Sequence, residues 1–487
     1  MTAQARQTRI KFGTDGWRAV IADEYTFANV ERVAQAYADY LLQSRAGPAH
    51  EDAPAKRRVV IGFDRRFLSE KFAARAAEVL AGNGFHIALF DRDVPTPLVS
   101  WAVRESGAGG GVVITASHNP PDFNGFKIKA PWGGSATPET TAAVEALVDA
   151  HPPRRAAPVD HEPEILEKSE ASYRAQIASY VDLEQLRQTA ARVVIDPMHG
   201  TGGRWVESFL RGGALAAETI RAERDPLFGG VNPEPIDRNL GPLKDRVRAT
   251  GALVGLATDG DADRVGAVNE RGETMTMHDV VPLILLHLVR RRQMRGGVVR
   301  TFSQSVLTKR IAEAHGLPLH NTPIGFKHIA DLMLREDILI GAEESGGIGV
   351  KGHIPERDGI LNSLLFLEAV ITAGKPPSEM VRDMHREFGA FYFGRRDLHI
   401  EVARGQALVA ALATSPPGAV AGQVVRGVET LDGTKLVFHD ESWLLFRQSG
   451  TEPVLRIYAE ATSPALMNAL LDEGCAMAEG QKTDERR

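Results

Sequence analysis

A single cysteine, Cys475, stands in 487 residues, which excludes an internal disulfide and fits a reducing compartment. No apolar run approaches the roughly 20 residues that a membrane-spanning helix needs. The longest, Val280 to Val289, is broken by Pro282 and His287 and reads as a buried helix. No apolar stretch follows the polar start Met1–Arg9, as a secretory leader would require. Charge of one sign is also lacking: 57 basic side chains face 63 acidic ones, a net of −6, which gives no global attraction to nucleic acid or an anionic membrane. No repeat and no low-complexity tract is present. The glycine-rich run Gly107–Gly111 lacks the Lys-Ser/Thr ending of a P-loop and reads as a turn. These absences leave a soluble cytoplasmic protein.

What is present is ordinary globular material, 43% hydrophobic and 25% charged, in a chain too long for one core. Short β-branched runs (Arg58–Phe63, Phe85–Asp91, Gly111–Thr115) alternate with the helical patterns Leu68–Asn83 and Pro97–Ser106. This βαβ rhythm recurs from Arg192–Asp196 into Gly202–Arg211, and from Gly297–Phe302 into Val306–His315 and Asp337–Gly341. It predicts α/β/α domains with mixed, mainly parallel sheets. The tail, with strands at Asp397–Val402, Lys435–Phe438, Trp443–Phe446 and Val454–Glu460 and a helix from Pro464, reads as α+β. Proline-rich Ala150–Glu164, the turn at Asn269–Thr274 and the stretch Phe388–Phe391 mark boundaries. Four domains are expected, at 1–155, 156–272, 273–388 and 389–487.

Chemistry concentrates in loops after apolar strands, where open α/β sheets place their sites. Thr115-Ala116-Ser117-His118-Asn119-Pro120 displays Ser117 on a reversing loop, and Asn124-Gly125 turns the chain back toward Lys127. A serine hydroxyl needs a base or metal to act as a nucleophile, and His118 and Lys127 are the local candidates for proton transfer. Asp259, Asp261 and Asp263 alternate on a second loop; three carboxylates so close require a cation, and oxygen ligands select a hard ion such as Mg²⁺ or Ca²⁺. An EF-hand is excluded because its sixth position, a glycine by necessity, is Arg264. Glu343 and Ser345 follow a third apolar run and suit vicinal sugar hydroxyls. Arg447, Ser449, Gly450, Thr451 and Arg456 supply guanidinium, hydroxyl and backbone N–H groups for an anion. Asp196–Gly203 reads as mostly structural.

In series, TASHNP with NGFK, DGDADR, AEESGG and RQSGTEP, preceded by GTDGWR, resemble the α-D-phosphohexomutases, which include phosphoglucomutases and phosphomannomutases. The resemblance runs from Gly13 to Glu460. It implies three α/β/α domains and a smaller α+β domain around a central cleft. It further implies that Ser117 carries a phosphate and, with Asp259, Asp261 and Asp263, holds Mg²⁺. Arg264 would line the site, and Arg18 and Lys127 would serve proton transfer and charge stabilisation. Glu343 and Ser345 would read the sugar, and Arg447, Ser449, Thr451 and Arg456 would hold the phosphate that is not transferred. The implied reaction interconverts hexose 1-phosphate and hexose 6-phosphate through a hexose 1,6-bisphosphate, with a small-molecule sugar phosphate as the partner of a monomer or homodimer. The pair Glu343-Glu344 resembles glucose-selective members; a dual glucose/mannose enzyme is the alternative. A Mg²⁺-dependent sugar phosphatase and a non-catalytic sugar-phosphate-binding protein are the more distant ones.

Overall fold

The computed structural model describes residues 9–13, 15–44, 54–156, 162–449 and 453–480. The chain divides into two compact units, one formed by residues up to Met275 together with Gly346–Pro376, the other by Thr276–Ser345 and the chain from Pro377 onward.

In the first unit, strands β1 (Gly16–Val20), β2 (Arg58–Phe63), β3 (His86–Leu89), β4 (Gly110–Ile114) and β5 (Phe123–Lys129) form a sheet in the order β1-β5-β4-β2-β3. The β2 pairs with β3 and β4 are parallel, and those of β5 with β4 and β1 are antiparallel. The short run from β4 to β5 allows only a hairpin-like return, whereas β2 reaches β3 and β4 through helices Ser69–Gly82 and Thr96–Glu105. Strands β2 and β4 (RVVIGF, GGVVI) are almost wholly buried, as strands covered on both faces must be. Helix Phe27–Gln43 starts at Thr26, whose side chain accepts from Asn29 N, and packs Val30, Val33 and Tyr37 into this core. Burying each such large side chain stabilises by about 1.5–3 kcal/mol.

A second sheet repeats the plan with β6 (Arg192–Asp196), β7 (Ala216–Thr219), β8 (Val254–Thr258), β9 (Val265–Val268) and β10 (Thr274–Met275) in the order β10-β9-β8-β6-β7. Again one half is parallel and the other antiparallel. The serine loop therefore joins β4 to β5, and the aspartate loop occupies the equivalent place between β8 and β9. The expected helix Gly202–Arg211 is shortened to Trp205–Leu210, because Met198 (φ 51°), His199 (φ 61°) and Gly203 (φ 42°) hold the preceding chain in left-handed turns. Helix Pro163–Tyr180 begins at the end of the expected proline-rich boundary, with its proline in the first turn.

In the second unit, β11 (Gly297–Thr301) pairs in parallel with β12 (Leu319–Thr322) and β13 (Ile338–Ala342). The chain then returns to the first unit with β14 (Ile348–Val350) and helix Gly359–Ala373. It ends in the second unit with β15 (Tyr392–His399), β16 (Ala419–Val420), β17 (Gln423–Glu429), β18 (Thr434–Phe438), β19 (Trp443–Gln448) and β20 (Val454–Ala461), antiparallel in the order β15-β20-β19-β18-β17-β16. Strand alternation sends Leu436, Phe438, Leu444, Phe446, Leu455 and Ile457 into the core with helices Val402–Thr414 and Pro464–Glu479. Lys435, Trp443, Arg447, Arg456 and Tyr458 fall on the other face. The strand expected over Asp397–Val402 lies instead at Tyr392–His399, and Val402 opens a helix. Eight consecutive pairs with β20 place that strand where its own weak alternation does not.

Candidate active site

Strand β4 ends fully buried, and the chain then reverses with Ser117 in the left-handed region at φ 53°. A non-glycine residue there is strained by about 1–3 kcal/mol, so the surroundings must hold it. Ser117 N donates to Thr115 Oγ1 at 2.9 Å. The main clamp is Arg66, wholly buried, which donates to the carbonyls of Ser117 (2.7 Å), Asn119 (2.7 Å), Pro120 (2.6 Å) and Phe123 (3.0 Å), and to Asp64 at 3.1 Å. Arg66 lies in none of the motifs. Its one sequence signal is its place just after the carboxyl end of the parallel strand β2.

Asp259, Asp261 and Asp263 are all at 0% exposure, and one oxygen from each lies within 4.8 Å of the others. Ser117 Oγ donates to Asp259 Oδ2 at 3.0 Å, so the structure brings the serine and the acidic turn together. Asp259 Oδ1 accepts from the backbone N of Asp263 and Arg264, both at 3.0 Å. Asp261 Oδ2 accepts from Thr96 Oγ1 at 2.7 Å and Lys127 Nζ at 2.8 Å. Asp263 Oδ2 meets Lys127 Nζ at 3.3 Å and Arg357 Nη2 at 2.8 Å. The remaining oxygens, Asp261 Oδ1 and Asp263 Oδ1, are buried without a hydrogen-bond partner among the described residues. Orphaned carboxylate oxygens beside a serine hydroxyl fit a hard divalent cation, which oxygen donors alone satisfy. Without one, burial and then the charges of Asp261 and Asp263 push the Asp259 carboxyl well above its usual range. Burial would raise Asp261 too, but Lys127 outweighs it and holds that carboxyl well below.

Two glycines let these loops meet. A Cβ on Gly260 would lie 2.6 Å from Ser117 O, and one on Gly200 would lie 2.7 Å from Asp259 O. Thr201 N also donates to Gly260 O at 3.0 Å, so the Asp196–Gly203 turn backs the acidic loop.

Lys127, 1% exposed, meets Asp261, Asp263 and, at 3.7 Å, Asp15. Burial favours loss of its proton, but these carboxylates prevail and the amine is held above its ordinary value. Arg18 donates to Asn119 Oδ1 at 2.9 Å and Asp15 at 3.1 Å. His118 Nδ1 lies 3.4 Å from Ser117 Oγ; burial, then Arg264 and Arg18, push its imidazole well below the usual range. Arg264 reaches toward Glu234 at 3.8 Å and Asp263 at 4.0 Å. Sequence reasoning also missed Arg357, which no motif marked.

In the second unit Glu343 is buried just past β13, and Ser345 is half-buried. Ser303 Oγ donates to Glu344 Oε2 at 2.6 Å. On the last sheet Arg447 and Arg456 stand directly opposite one another across β19 and β20. Like charges so placed repel and favour an anion between them. Arg447 Nε donates to Asp432 at 3.0 Å, and buried Ser449 closes the turn by donating from its N to Val454 O at 2.9 Å. Burial first and the Glu344 charge next push the Tyr458 hydroxyl up to about 12. Gly450 and Thr451 lie outside the described residues.

Among the described residues, no helix is long and apolar enough to cross a membrane. Four family models match in succession: the phosphoglucomutase/phosphomannomutase α/β/α domains I (residues 9–155), II (171–272) and III (278–388), and the C-terminal domain (400–476). The chain is 31% identical to a phosphoglucomutase/phosphomannomutase of Thermococcus kodakarensis over 472 residues, covering 96% of this chain and 98% of the relative. It is 30% identical to a phosphoglucosamine mutase of Halorhodospira halophila over 478 residues, 96% of each. Among solved structures, a Thermus thermophilus protein assigned to the phosphomannomutases matches with a TM-score of 0.84 at 38% identity, over 97% of this chain and 100% of that one. The sequence and the fold agree, and the chain belongs to the phosphoglucomutase/phosphomannomutase family of α-D-phosphohexomutases, which are intramolecular phosphotransferases.

Proposed function

We propose that this phosphohexomutase interconverts glucose 1-phosphate and glucose 6-phosphate through a phosphorylated Ser117 and a glucose 1,6-bisphosphate. The observation that carries the reading is the 3.0 Å contact between Ser117 Oγ and Asp259 inside a buried aspartate triad with two orphaned oxygens. Asp259, Asp261 and Asp263 would hold Mg²⁺ beside the phosphoserine. Bound there, the ion would supply neutralisation of the charge that develops on the transferring phosphoryl oxygens.

The chain's own residues supply the rest. The Ser117 Oγ–phosphorus bond breaks as one forms to the hexose O6, and the O6 proton leaves to a base. In the return step a bond forms from Ser117 Oγ to the 1-phosphoryl as the O1–phosphorus bond breaks; the serine proton leaves to the base and O1 takes one up. Such transfer depends on positioning and electrostatics more than on covalent chemistry. Lys127, held as an ammonium against Asp261 and Asp263, suits charge stabilisation rather than proton acceptance. Arg18 and Arg264 add positive charge, and neutral His118, its Nδ1 3.4 Å from Ser117 Oγ, is the candidate for proton transfer. Glu343 and Ser345 would read sugar hydroxyls, and Arg447, Ser449, Gly450, Thr451 and Arg456 would grip the other phosphate.

Intact-mass analysis should find a population heavier by one phosphate located on Ser117, discharged by excess substrate; Ser117→Ala with full activity would refute the reading. The preference for glucose rests on Glu343-Glu344. The relatives are mutases of glucose and mannose phosphates and of glucosamine phosphate, so coupled assays with all three 1-phosphates test it. Equal turnover of the glucose and mannose substrates would favour dual specificity.

A further inference from the structure

We infer that Glu356 is a positioning residue for the acidic loop, fixing the Arg357 guanidinium against Asp263 while anchored to the strand that carries Lys127. The inference rests on the mutase reading above. Glu356 and Lys129 are both fully buried at their side chains, and Lys129 Nζ donates to Glu356 Oε2 at 2.7 Å. Ser135 Oγ donates to the same oxygen at 2.6 Å. The other oxygen, Oε1, accepts from Arg357 N at 3.0 Å and lies 3.4 Å from Arg357 Nε.

The consequence follows from strand geometry. Lys127 and Lys129 are two apart on β5 and share a face. Lys127 reaches Asp261 and Asp263, and Arg357 reaches Asp263 at 2.8 Å. Lys127 and Arg357, which share Asp263 Oδ2, are thus linked through β5: Glu356 holds Lys129, two residues along the strand from Lys127, and lies against Arg357.

The segment around it is pinned on both sides. A Cβ on Gly134 would lie 2.9 Å from Pro355 O, so the turn after β5 closes tightly on the backbone just before Glu356. Asp358 accepts from Tyr173 Oη at 2.8 Å and lies 2.9 Å from His353 Nε2, and it caps helix Gly359–Ala373 through Ile360 N and Leu361 N. Gly359 N donates to Ala262 O, within the acidic loop, at 3.0 Å. A guanidinium chain left to itself samples many rotamers; here its backbone and its Nε both face one fixed carboxylate, so few remain.

A buried ion pair could instead serve the fold alone, and the test separates the two. Glu356→Gln strands Lys129, whereas Lys129→Met combined with Glu356→Met removes both charges and keeps the volume. Each variant is assayed as full-length enzyme with Mg²⁺ on whichever hexose 1-phosphate the wild type turns over, alongside its melting temperature. Positioning predicts that Glu356→Gln lowers kcat at least tenfold with KM within twofold. It also predicts that the double variant regains the wild-type melting temperature without regaining kcat. Recovery of both by the double variant overturns the inference. Should that variant fail to fold, Glu356→Gln is combined with Arg357→Met: a combined loss equal to the larger single loss supports action through Arg357, and multiplying losses overturn it. A wild-type enzyme that moves no phosphate on any hexose would instead defeat the mutase reading itself.

Discussion

At the scale of single residues, Lys127 shows how surroundings decide a role. Sequence makes it a candidate proton carrier, yet three carboxylates hold its proton in place and leave a fixed positive charge against the acidic turn. Lys127→Met is expected to lower kcat by about 10²–10³-fold, as loss of a preorganised electrostatic group does. A steady-state assay with unchanged kcat would refute that role. Lys435 is the opposite case. Its amine sits 4.1 Å from the Phe302 ring centre and 4.7 Å from that of Trp443, and burial, with Arg300 behind it, pushes it down to about 7. The unfolded chain keeps that proton up to about 10.4, so between these values unfolding takes up a proton and stability rises with pH. Below pH 7 the penalty is fully present. Lys435→Met should therefore raise the melting temperature most below pH 7, with the gain shrinking toward pH 10. A gain of equal size at every pH would contradict the assignment.

At the scale of elements, the candidate site is made by two equivalent loops, one between β4 and β5 and one between β8 and β9. Each follows a strand buried along its whole length. Both loops were visible in the sequence, because apolar runs ending in Ser-His-Asn-Pro or alternating aspartates stand out locally. Their approach was not visible. It depends on Gly260, whose missing side chain makes room for Ser117 O. Gly260→Ala should part the loops, and a displacement of about 1 Å near reacting atoms can lower the rate by about 10²-fold. The check is kcat together with a crystal structure of the variant; unchanged kcat would mean that the contact is dispensable. Arg66 and Arg357 escaped motif reading for the same reason. Each acts on a loop distant in sequence; only its place after β2 marks Arg66, and nothing local distinguishes Arg357 from a surface arginine.

For the whole molecule, the two units each hold their part of the candidate machinery: the serine and acidic loops in the first, the Glu343 loop and the arginine pair in the second. Removing divalent cations from the dialysed enzyme with EDTA is expected to abolish turnover. Excess Mg²⁺ should restore it, as an oxygen-only donor set requires. Turnover that persists through chelation would exclude a required cation.

Sequence by itself determined the four-domain α/β character, the serine loop, the aspartate triad and the family, because each is written in local periodicity or in a short motif. It placed the last domain's first strand wrongly, since pairing with β20 settles that strand. Only tertiary structure decided that Ser117 meets Asp259, that Arg66 clamps the serine loop and that Glu356 joins Lys129 to Arg357. Apart from the contact between the neighbours Glu356 and Arg357, these join residues 53 to 227 positions apart, where local propensity is silent and packing of buried charge governs.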